Sequence, residues 1–549
     1  MQGPSSDVTP TRKESRSTNT TRFKIGQRVH SAGDTRRIGT VKYVGPVEGY
    51  SGTWVGVDWD NDGDGKHDGS HNCVQYFQAR GPKTASFVRP HNLNSGITFL
   101  EALQVRYQST STKEEEDEMY VLSSTNKRVS IELLGKDKIQ NKLSRFEELT
   151  GASLSYLGVS CPGPSGHSSN TLPNLKELDL TGNLLSDWED VGIICKGLPA
   201  LEVLNLSYNL MSHDIIGMPT LHNIRILVLN HIGINWKQVE VLKDSVPLIE
   251  ELHLMGNNLK EITLPSSMSE GFDFLRLVNL EDNCVSDWNK IVKLSQIKSL
   301  EQLFLNKNYL NQIWYPEHIT LDKAGNESSR RNFRPFQNLR CLLLGGNNIN
   351  DLDSVDSLNS FPSLMDIRLS ENPVADTGKD GVPRFVLIAR LKNVKILNGS
   401  EVTLRERKDS EIRYVRLVMT KYNNNMEEIM RIHPRFAELK TCHGIEDVKA
   451  TIGAGGPQKM SSGLIAITLK CVGASIGEKP LLTKKLPSTT TVGKLKNLCE
   501  SFFKLNSVKP KLFLQEEGNP LPTLLDDEMA CLIDIGVGSN STILVDEDN

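Results

Sequence analysis

The residues best suited to chemistry lie in one short, glycine-bounded loop, GKHDG, at residues 65–69. Glycines let the backbone approach a ligand closely and present N–H groups to a carboxylate. Lys66 adds a positive point charge, and the aromatic side chains of Trp54 and Phe77 can wall a slot for a ring. These residue types are chemically suited to contacts with a carboxylate and with an aromatic ring.

The elements that must position this loop are short strands between glycine-rich turns. Residues 40–44 and 54–59 alternate in the manner of half-buried strands, and glycines punctuate the segment from Phe23 to Leu93. This texture predicts a small all-β barrel.

The segment resembles a CAP-Gly domain. The matching pieces are Gly26-Gln27-Arg28-Val29, Gly39-Thr40-Val41, Gly52-Thr53-Trp54-Val55-Gly56-Val57, the 65–69 loop, Tyr76-Phe77 and Phe87-Val88-Arg89-Pro90. The resemblance implies binding of chain ends that finish in acidic residues and an aromatic, such as the Glu-Glu-Tyr tail of α-tubulin. The implied binding residues are Trp54, Lys66, His67, Asp68, Gly69 and Phe77.

One residue departs from the family's loop, which usually has asparagine where this chain has His67. A neutral imidazole donates one hydrogen bond but lacks the paired donor and acceptor of an amide. We therefore expect tail binding to survive, and to strengthen below pH ~6.5 as His67 gains charge.

Two patterns near the loop imitate metal sites. Asp58, Asp60 and Asp62 resemble the opening of a calcium loop, but Gly69 stands where that loop needs glutamate. His67, His71 and Cys73 have zinc-like spacing without a fourth ligand nearby. We predict a polar turn with no metal and no cofactor.

A repeated frame, L-x-x-L-x-L-x-x-N, occupies the middle of the chain. It is the leucine-rich repeat pattern, in which each unit supplies one short strand and buries its apolar edge against its neighbours. The frames begin at Leu175, Leu201, Ile224, Ile249, Leu275, Leu300, Leu339 and Leu364. Seven of the eight carry asparagine at the ninth position, and Ile232 is the exception. This predicts an α/β solenoid of about eight or more repeats, whose asparagines satisfy backbone groups where each strand turns away.

Residues between the repeated leucines should point to the concave face of the solenoid. Several of them are apolar, and apolar side chains on an exposed sheet favour a protein partner. These candidate contact residues are Val203, Ile226, Val228, Met255, Leu277, Phe304 and Leu343. The alternative is that the polar insertion at residues 313–336, or another domain, covers this face.

The carboxyl-terminal segment resembles ubiquitin. A strand pair, a helix with Val492, Leu495, Cys499 and Phe502 on one stripe, and later strands predict an α+β β-grasp domain. The chain is therefore predicted to be multidomain. We expect a disordered tail (1–21), a CAP-Gly domain (22–95), a linker with a short helix and an acidic run (96–134), a solenoid with an amino-terminal cap (135–400), a helical cap (401–445), a glycine-rich hinge (446–463) and a ubiquitin-like domain (464–549).

Composition narrows the function classes. The net charge of −4 argues against nucleic acid and anionic membranes as partners, and no apolar run is long enough to span a bilayer. Nine scattered cysteines and the absence of an apolar leader predict a reducing, cytoplasmic location. The CAP-Gly resemblance implies association with the cytoskeleton. Motifs for nucleotide hydrolysis, acyl transfer, zinc proteolysis and kinase chemistry are missing, so we expect no enzyme.

The order CAP-Gly, leucine-rich repeats, ubiquitin-like domain resembles the tubulin-folding cofactor family. The resemblance implies a chaperone that binds α-tubulin and helps to assemble and take apart the αβ-tubulin dimer. It also implies that tubulin-folding cofactors D and C are partners of this chain, with cofactor B as a further candidate partner. Two alternatives stay open: a microtubule-associated CAP-Gly adaptor, and a ubiquitin-pathway shuttle for tubulin.

Overall fold

The computed structural model describes residues 23–108, 120–122, 128–130, 144–163, 172–215, 218–263, 272–316, 334–379, 381–422, 425–445, 464–473, 479–505, 509–515, 522–525, 528, 530–532, 535–538 and 540–547. The chain forms two compact units, Met1–Ile224 and Arg225–Asn549. The predicted tail, acidic run and glycine-rich hinge lie outside the described residues, as does most of the insertion, residues 317–333.

The first unit begins with an all-β domain. Its strands are β1 (Arg28–Ser31), β2 (Asp34–Val47), β3 (Tyr50–Trp59), β4 (Ser70–His71), β5 (Val74–Gln75), β6 (Ala85–Val88) and β7 (Leu93–Asn94). Five of them form an antiparallel sheet in the order β6-β3-β2-β1-β7, and β4 pairs with β5. The alternate residues Val55, Val57 and Trp59 are at most 1% exposed and build the core with Val29 and Val41. Both strands predicted here are confirmed as parts of β2 and β3.

A strand and a helix follow this domain: β8 (Ile97–Thr98) and α1 (Phe99–Tyr107). The hydroxyl of Thr98 accepts from the N–H of Glu101 (3.2 Å), and the Glu101 carboxylate accepts from the N–H of Thr98 (2.8 Å). This reciprocal capping box fixes the start of the helix.

The segment between α1 and the repeats contains a short hairpin, β9 (Tyr120–Leu122) and β10 (Arg128–Ser130). The spacing of Ile139, Leu143, Phe146 and Leu149 predicts a helix over residues 135–149, most of which lies outside the described residues. The described end forms only a 3-10 turn, Phe146–Glu148, because strand β11 (Gly151–Ser153) begins almost directly after it.

Three parallel strands belong to the solenoid part of the first unit. They are β11, β13 (Glu177–Asp179) and β14 (Val203–Asn205), paired in register. Strand β12 (Val159–Cys161) pairs instead with β8, and helix α2 (Trp188–Lys196) follows the first repeat.

The second unit continues the repeats. Its parallel strands are β15 (Ile226–Val228), β16 (Glu251–His253), β17 (Leu277–Asn279), β18 (Gln302–Phe304), β19 (Cys341–Leu343), β20 (Asp366–Arg368) and β21 (Ile396–Leu397), and β22 (Ser400–Glu401) is antiparallel to β21. The return segments carry α3 (Trp236–Leu242), α4 (Trp288–Val292) and α5 (Leu352–Ser357). The middle residue of every repeat strand is buried, as the leucine frame requires.

The repeated asparagines form a ladder along the turns. The amide of Asn283 donates to the carbonyls of Leu254 (3.0 Å) and Leu280 (3.1 Å), while its oxygen accepts from the N–H of Asn257 (3.0 Å). In the repeat that lacks the asparagine, the N–H of Ile232 donates to Asn257 of the next repeat (3.0 Å). The predicted structural role of these asparagines is confirmed.

Four helices close the end of the array: α6 (Arg384–Arg390), α7 (Leu404–Lys421), α8 (Met426–Ile432) and α9 (Phe436–Cys442). The spacing of Thr403 and Glu406 predicts a capping box at the start of α7, and the N–H of Glu406 donates to the Thr403 hydroxyl (3.1 Å). Pro434 separates α8 from α9, because proline cannot continue a helix.

A buried polar cluster joins these helices to the last repeats. Arg390 is 1% exposed and donates from Nε to Asp356 Oδ1 (3.0 Å), from Nη1 to the Tyr414 hydroxyl (3.2 Å) and from Nη2 to the Ile432 carbonyl (2.9 Å). His433 Nδ1 lies 2.7 Å from the Tyr414 hydroxyl and 3.1 Å from Arg390 Nη1. Burial, and secondarily the charge of Arg390, lower the pKa of His433 to about 4.

We expect this histidine to make the cap acid-sensitive. A lowered pKa means that the folded state favours the neutral imidazole. The contribution of His433 to the free energy of unfolding is therefore complete above pH ~6.5 and is lost as the pH falls towards 4. The shift corresponds to a loss of at most ~3 kcal/mol. His433→Gln keeps a neutral acceptor and should flatten this part of the pH profile in thermal unfolding, whereas His222→Gln, at an exposed site, should not. Equal acid sensitivity in the wild type and His433→Gln would contradict the assignment.

The carboxyl-terminal domain is a β-grasp fold. Its elements are β23 (Leu464–Cys471), β24 (Leu482–Pro487), α10 (Val492–Phe503), β25 (Pro510–Gln515), β26 (Thr523–Leu525) and β27 (Thr542–Glu547). The sheet order is β24-β23-β27-β25-β26, with β23 and β27 parallel. The predicted helix stripe is correct except at its end, where Phe503 enters the core and Phe502 instead lies under the Lys484 ammonium, 5.0 Å from the ring centre.

This domain contacts the helical cap of the same unit through a glycine turn. Gly536 has φ +80°, and a Cβ there would come within 2.4 Å of Phe385. The Arg413 guanidinium lies 3.8 Å above the Phe385 ring and faces the same turn. None of the helices in the described parts of the chain is both long and apolar enough to cross a membrane.

Candidate functional site

The 65–69 loop is held in place by backbone hydrogen bonds to Ala85, the first residue of strand β6. The N–H of Lys66 donates to the carbonyl of Ala85 (2.7 Å), and the N–H of Ala85 donates to the carbonyl of His67 (2.9 Å). A Cβ at Gly65 would lie 2.2 Å from the carbonyl carbon of Thr84, so only glycine fits there. The Lys66 side chain itself is exposed, and its ammonium makes no ion pair with another described residue.

The far end of the loop packs backbone against backbone. Gly69 has φ +99°, and a Cβ there would lie 2.0 Å from the carbonyl oxygen of Phe77. The N–H of Tyr76 donates to the Gly69 carbonyl (3.1 Å), and that of Ala79 donates to the Asp68 carbonyl (3.1 Å). The loop is therefore hydrogen-bonded to residues 76–79, and the two backbones are in van der Waals contact.

His67 is fixed in one tautomer by the loop. Its Nδ1 accepts from the N–H of Gly69 (3.0 Å), which leaves the proton on Nε2 in the neutral ring. The ring stacks on Phe87, with centroids 4.9 Å apart and an interplanar angle of 28°. Burial lowers the pKa of His67 despite the opposing effect of Asp68.

Two features argue against the expected strengthening of tail binding below pH ~6.5: the pKa of His67 lies below its ordinary value, and protonation removes the acceptor for the N–H of Gly69. We predict a flat affinity for a peptide ending in Glu-Glu-Tyr between pH 7.5 and 6.5, and a decline at lower pH as the loop loses this hydrogen bond. Peptide titrations at pH 7.5, 6.5 and 5.5 measure it, with His67→Asn as the non-titrating control. Tighter binding by the wild type alone at pH 6.5 would refute this prediction.

Asp68 turns its carboxylate back into the loop. Its Oδ1 accepts from the N–H of Ser70 (3.1 Å) and from the Ser70 hydroxyl, and these hydrogen bonds lower the pKa of Asp68. Its place in the predicted site is thus that of a residue that shapes the turn between Lys66 and Gly69.

The two predicted wall residues occupy different environments. Trp54 is half-buried, with the Arg89 guanidinium 3.8 Å above its ring and Tyr50 at its edge, 5.7 Å between centroids. Its indole Nε1 is buried with no hydrogen-bond partner among the described residues. Phe77 is only 8% exposed and supports the loop from beneath.

The structure adds three aromatic residues that were not predicted to bind ligand: Tyr43, Tyr76 and Phe87. Tyr43 and Tyr76 meet edge to face at 5.3 Å, and each lies edge-on to Phe87, at 6.2 and 5.2 Å. Together with Phe77 they form a continuous aromatic wall beside His67. Motif matching pointed to Tyr76 and Phe87, but nothing in the sequence placed Tyr43 against them.

The aspartates of the calcium-like pattern in this region pair with protein groups. Asp60 forms a salt bridge with Arg28, and Asp58 accepts from the Thr84 hydroxyl (2.6 Å) and from the N–H of Arg80 (3.2 Å). Among the described residues, no three His, Cys, Asp or Glu side chains are grouped so that they could hold a metal ion.

The second candidate site is the concave face. Val203 belongs to the first unit, and the other six predicted residues belong to the second. In the second unit, the strand register places first positions in one row and third positions in another. The first row is Ile226, Glu251, Leu277, Gln302, Cys341 and Asp366, and the second is Val228, His253, Asn279, Phe304, Leu343 and Arg368.

This register breaks the predicted apolar stripe into separate patches. Ile226 and Val228 form one patch, and Phe304 and Leu343 are direct neighbours in another. Glu251 and His253 separate the patches, with His253 Nε2 3.4 Å from the Glu251 carboxylate. The face therefore offers alternating apolar and polar contacts, most of them half-buried between neighbouring strands.

The polar part of this face continues beside Met255. Asn306 donates to Glu281 and accepts from the N–H of Gly345 (2.7 Å), which orders the side chains just beyond the strand ends. Further along, burial raises the pKa of the Cys341 thiol to about 12, with the neighbouring Asp366 carboxylate acting in the same direction. A thiol with such a pKa is not a nucleophile.

This chain is similar to a known domain family and to several known proteins. The CAP-Gly domain family matches residues 25–93. The chain is 63% identical over 528 residues to a protein named Tubulin-folding cofactor E from Arabidopsis thaliana, covering 96% of this chain and 98% of that protein. It is 32% identical over 505 residues to Tubulin-specific chaperone E from Danio rerio, covering 89% and 92%. The solution structure of the C-terminal ubiquitin-like domain of mouse tubulin-specific chaperone e is similar to 17% of this chain and 96% of that chain, with 24% identity and a TM-score of 0.15.

Proposed function

The chain belongs to the tubulin-folding cofactor E family, whose members are also named tubulin-specific chaperone E, and from this premise we propose that it is a tubulin-folding chaperone. It binds α-tubulin and takes part in assembling and disassembling the αβ-tubulin heterodimer. The observation that carries the proposal is the 63% identity to a tubulin-folding cofactor over 96% of the chain. A matching CAP-Gly domain at residues 25–93 supplies the chemistry for an acidic tail.

In this proposal the GKHDG loop captures the carboxylates of the α-tubulin tail. Lys66 supplies an exposed ammonium that is not neutralised within the described residues, and neutral His67 offers its Nε2–H as a donor. The buried Nε1–H of Trp54 is a further donor, and leaving it unpaired costs ~1–3 kcal/mol. A tail carboxylate that reached it would recover that cost, while the aromatic wall of Tyr43, Tyr76 and Phe87 receives the terminal ring.

The concave face holds the folded body of tubulin. Its contact residues are Val203 in the first unit and Ile226, Val228, Met255, Leu277, Phe304 and Leu343 in the second. Alternation of apolar patches with Glu251, His253 and Asn306 fits a partner surface that is itself mixed, as non-obligate interfaces are. Two modest contacts joined in one chain give useful affinity while still allowing release of the subunit.

The chaperone acts by binding alone, without catalysis and without a resident cofactor. Family membership is also the basis for proposing tubulin-folding cofactors D, C and B as partners, with the ubiquitin-like domain as a docking module. Transfer of the held subunit to a partner requires that the two tubulin contacts be broken one after the other, which separate weak sites permit.

The test mixes the purified chain with tubulin dimer and with microtubules. A stoichiometric complex that contains α-tubulin and forms from free dimer supports the chaperone. Co-sedimentation with polymer and no complex with dimer would identify an adaptor and reject the proposal. Lys66→Glu should weaken the complex, because it reverses the charge that meets the tail, whereas Lys83→Glu provides an exposed control on the same domain.

A further inference from the structure

Three glycines with positive φ lie where the CAP-Gly domain meets the amino-terminal cap of the repeats: Gly96 (+92°), Gly158 (+79°) and Gly163 (+88°). A Cβ at Gly96 would come within 2.5 Å of the Gly158 carbonyl oxygen and 2.6 Å of Ser160 Cβ. A Cβ at Gly158 would lie 2.9 Å from His30 Nε2. Two backbones therefore meet here with no room for a side chain between them.

Hydrogen bonds run across the same junction. The N–H of Ile97 donates to the Gly158 carbonyl (2.8 Å), and β8 pairs in parallel with β12. The N–H of Ser153 in the cap donates to the hydroxyl of Tyr107 at the end of α1 (2.9 Å). The segment that directly follows the CAP-Gly domain, β8 and α1, is thus hydrogen-bonded to the cap, and residues 109–143 are not the only connection between the domain and the cap.

The contacts continue from the cap into the first repeat. The Arg36 guanidinium of β2 lies 5.5 Å above the Tyr156 ring, and Tyr156 in turn covers Gly182, where a Cβ would be 2.1 Å from the ring. The N–H of Val159 donates to Asn183 of the first repeat (2.8 Å). An unbroken series of contacts therefore links the CAP-Gly domain to strand β13.

We propose that the CAP-Gly domain and the first repeats form one rigid body, so that the tail site keeps a fixed position relative to strands β13 and β14. The inference rests on the proposed function for its consequence: the acidic tail and the part of the tubulin body that contacts strands β13 and β14, at Val203, are bound together at a set offset. A fixed offset keeps the second contact at high effective concentration, which a long flexible linker would dilute.

The experiment compares Gly96→Val and Gly158→Val with the wild type in the full chain. Each variant should bind a Glu-Glu-Tyr tail peptide within about twofold of the wild type, because the loop at residues 65–69 is untouched. Each should bind intact tubulin dimer about tenfold more weakly, because the gain from linked contacts is lost. Hydrogen exchange should rise in residues 94–107 and 151–161 of both variants.

Gly33→Val is the matched control, since no atom lies within 4 Å of the position of its Cβ. Dimer whose acidic tails have been removed by proteolysis should bind the wild type and both variants equally, because only one contact remains. If a valine variant no longer binds the peptide, Arg36→Ala replaces it: this exposed change adds no atoms and should weaken dimer binding about threefold.

The outcomes separate the two proposals. If the valine variants, or Arg36→Ala, bind intact dimer as tightly as the wild type does, the rigid-body proposal is overturned. A wild-type chain that binds neither tail peptide nor dimer overturns the proposed function instead.

Discussion

Replacing Gly69 with valine should abolish tail binding, lowering the affinity for a Glu-Glu-Tyr peptide at least ~100-fold, or ~2.7 kcal/mol. Two physical costs combine at this position. Its φ of +99° is strained for any side chain, at ~1–3 kcal/mol. Its Cβ would also lie 2.0 Å from the Phe77 carbonyl oxygen, so the loop must leave residues 76–79 and carry His67 and Lys66 away from the aromatic wall.

Gly63→Val separates these two costs. Gly63 has a similar φ of +89°, but nothing lies within 4 Å of its Cβ position. It should therefore suffer the backbone strain alone and keep most of the tail affinity. Isothermal titration of the peptide measures both variants, and equal losses in the two would show that the close approach to Phe77 does not shape the site.

Replacing Arg390 with alanine should destabilise the helical cap by ~3–5 kcal/mol, the usual cost of removing one partner from a buried ion pair. The guanidinium is 1% exposed and bonds to Asp356, Tyr414 and the Ile432 carbonyl at once. Burial raises the pKa of Asp356 even with Arg390 present, so losing the guanidinium leaves a carboxyl that ionises only at a cost. Chemical denaturation, with hydrogen exchange in α6 to α9, measures the change.

Two further variants make the test specific. Arg405→Ala removes an arginine whose side chain is 72% exposed and 3.9 Å from Asp409, and it should change stability by no more than ~0.5 kcal/mol. The double variant Arg390→Leu/Asp356→Leu removes both charges and should recover part of the loss. A loss below ~1 kcal/mol in Arg390→Ala would mean that the cluster does not hold the cap.

The parts of the fold that follow from spacing along the chain were predictable. The leucine frame determined which residue of each repeat strand is buried, and Asn283 fills the role expected from its position in the turn. The helix starting after Thr403, and the succession of strands and helix along the carboxyl-terminal domain, needed only local capping and alternation. In each case the sequence pattern spans only a few residues or recurs at a fixed interval. Neighbouring chain segments therefore suffice to determine the local structure.

The candidate sites were predictable in composition but not in arrangement. Motif matching identified Lys66, Gly69 and Trp54, yet the protonation of His67 depends on its burial against Phe87, twenty residues away. Similarly, the leucine frame identified Leu277 and Phe304 as concave residues but not the pairing that places Glu251 beside Leu277.

The sequence by itself determined the three kinds of domain, their order and the loop that can meet an acidic tail, because each rests on local patterns. Only the tertiary structure decided how the tail site is joined to the repeats. Gly96 and Gly158 carry no pattern that connects them, and their contact exists because strands β8 and β12 pair across 60 residues of chain. Pairing between such distant segments is decided by packing, which no local pattern encodes.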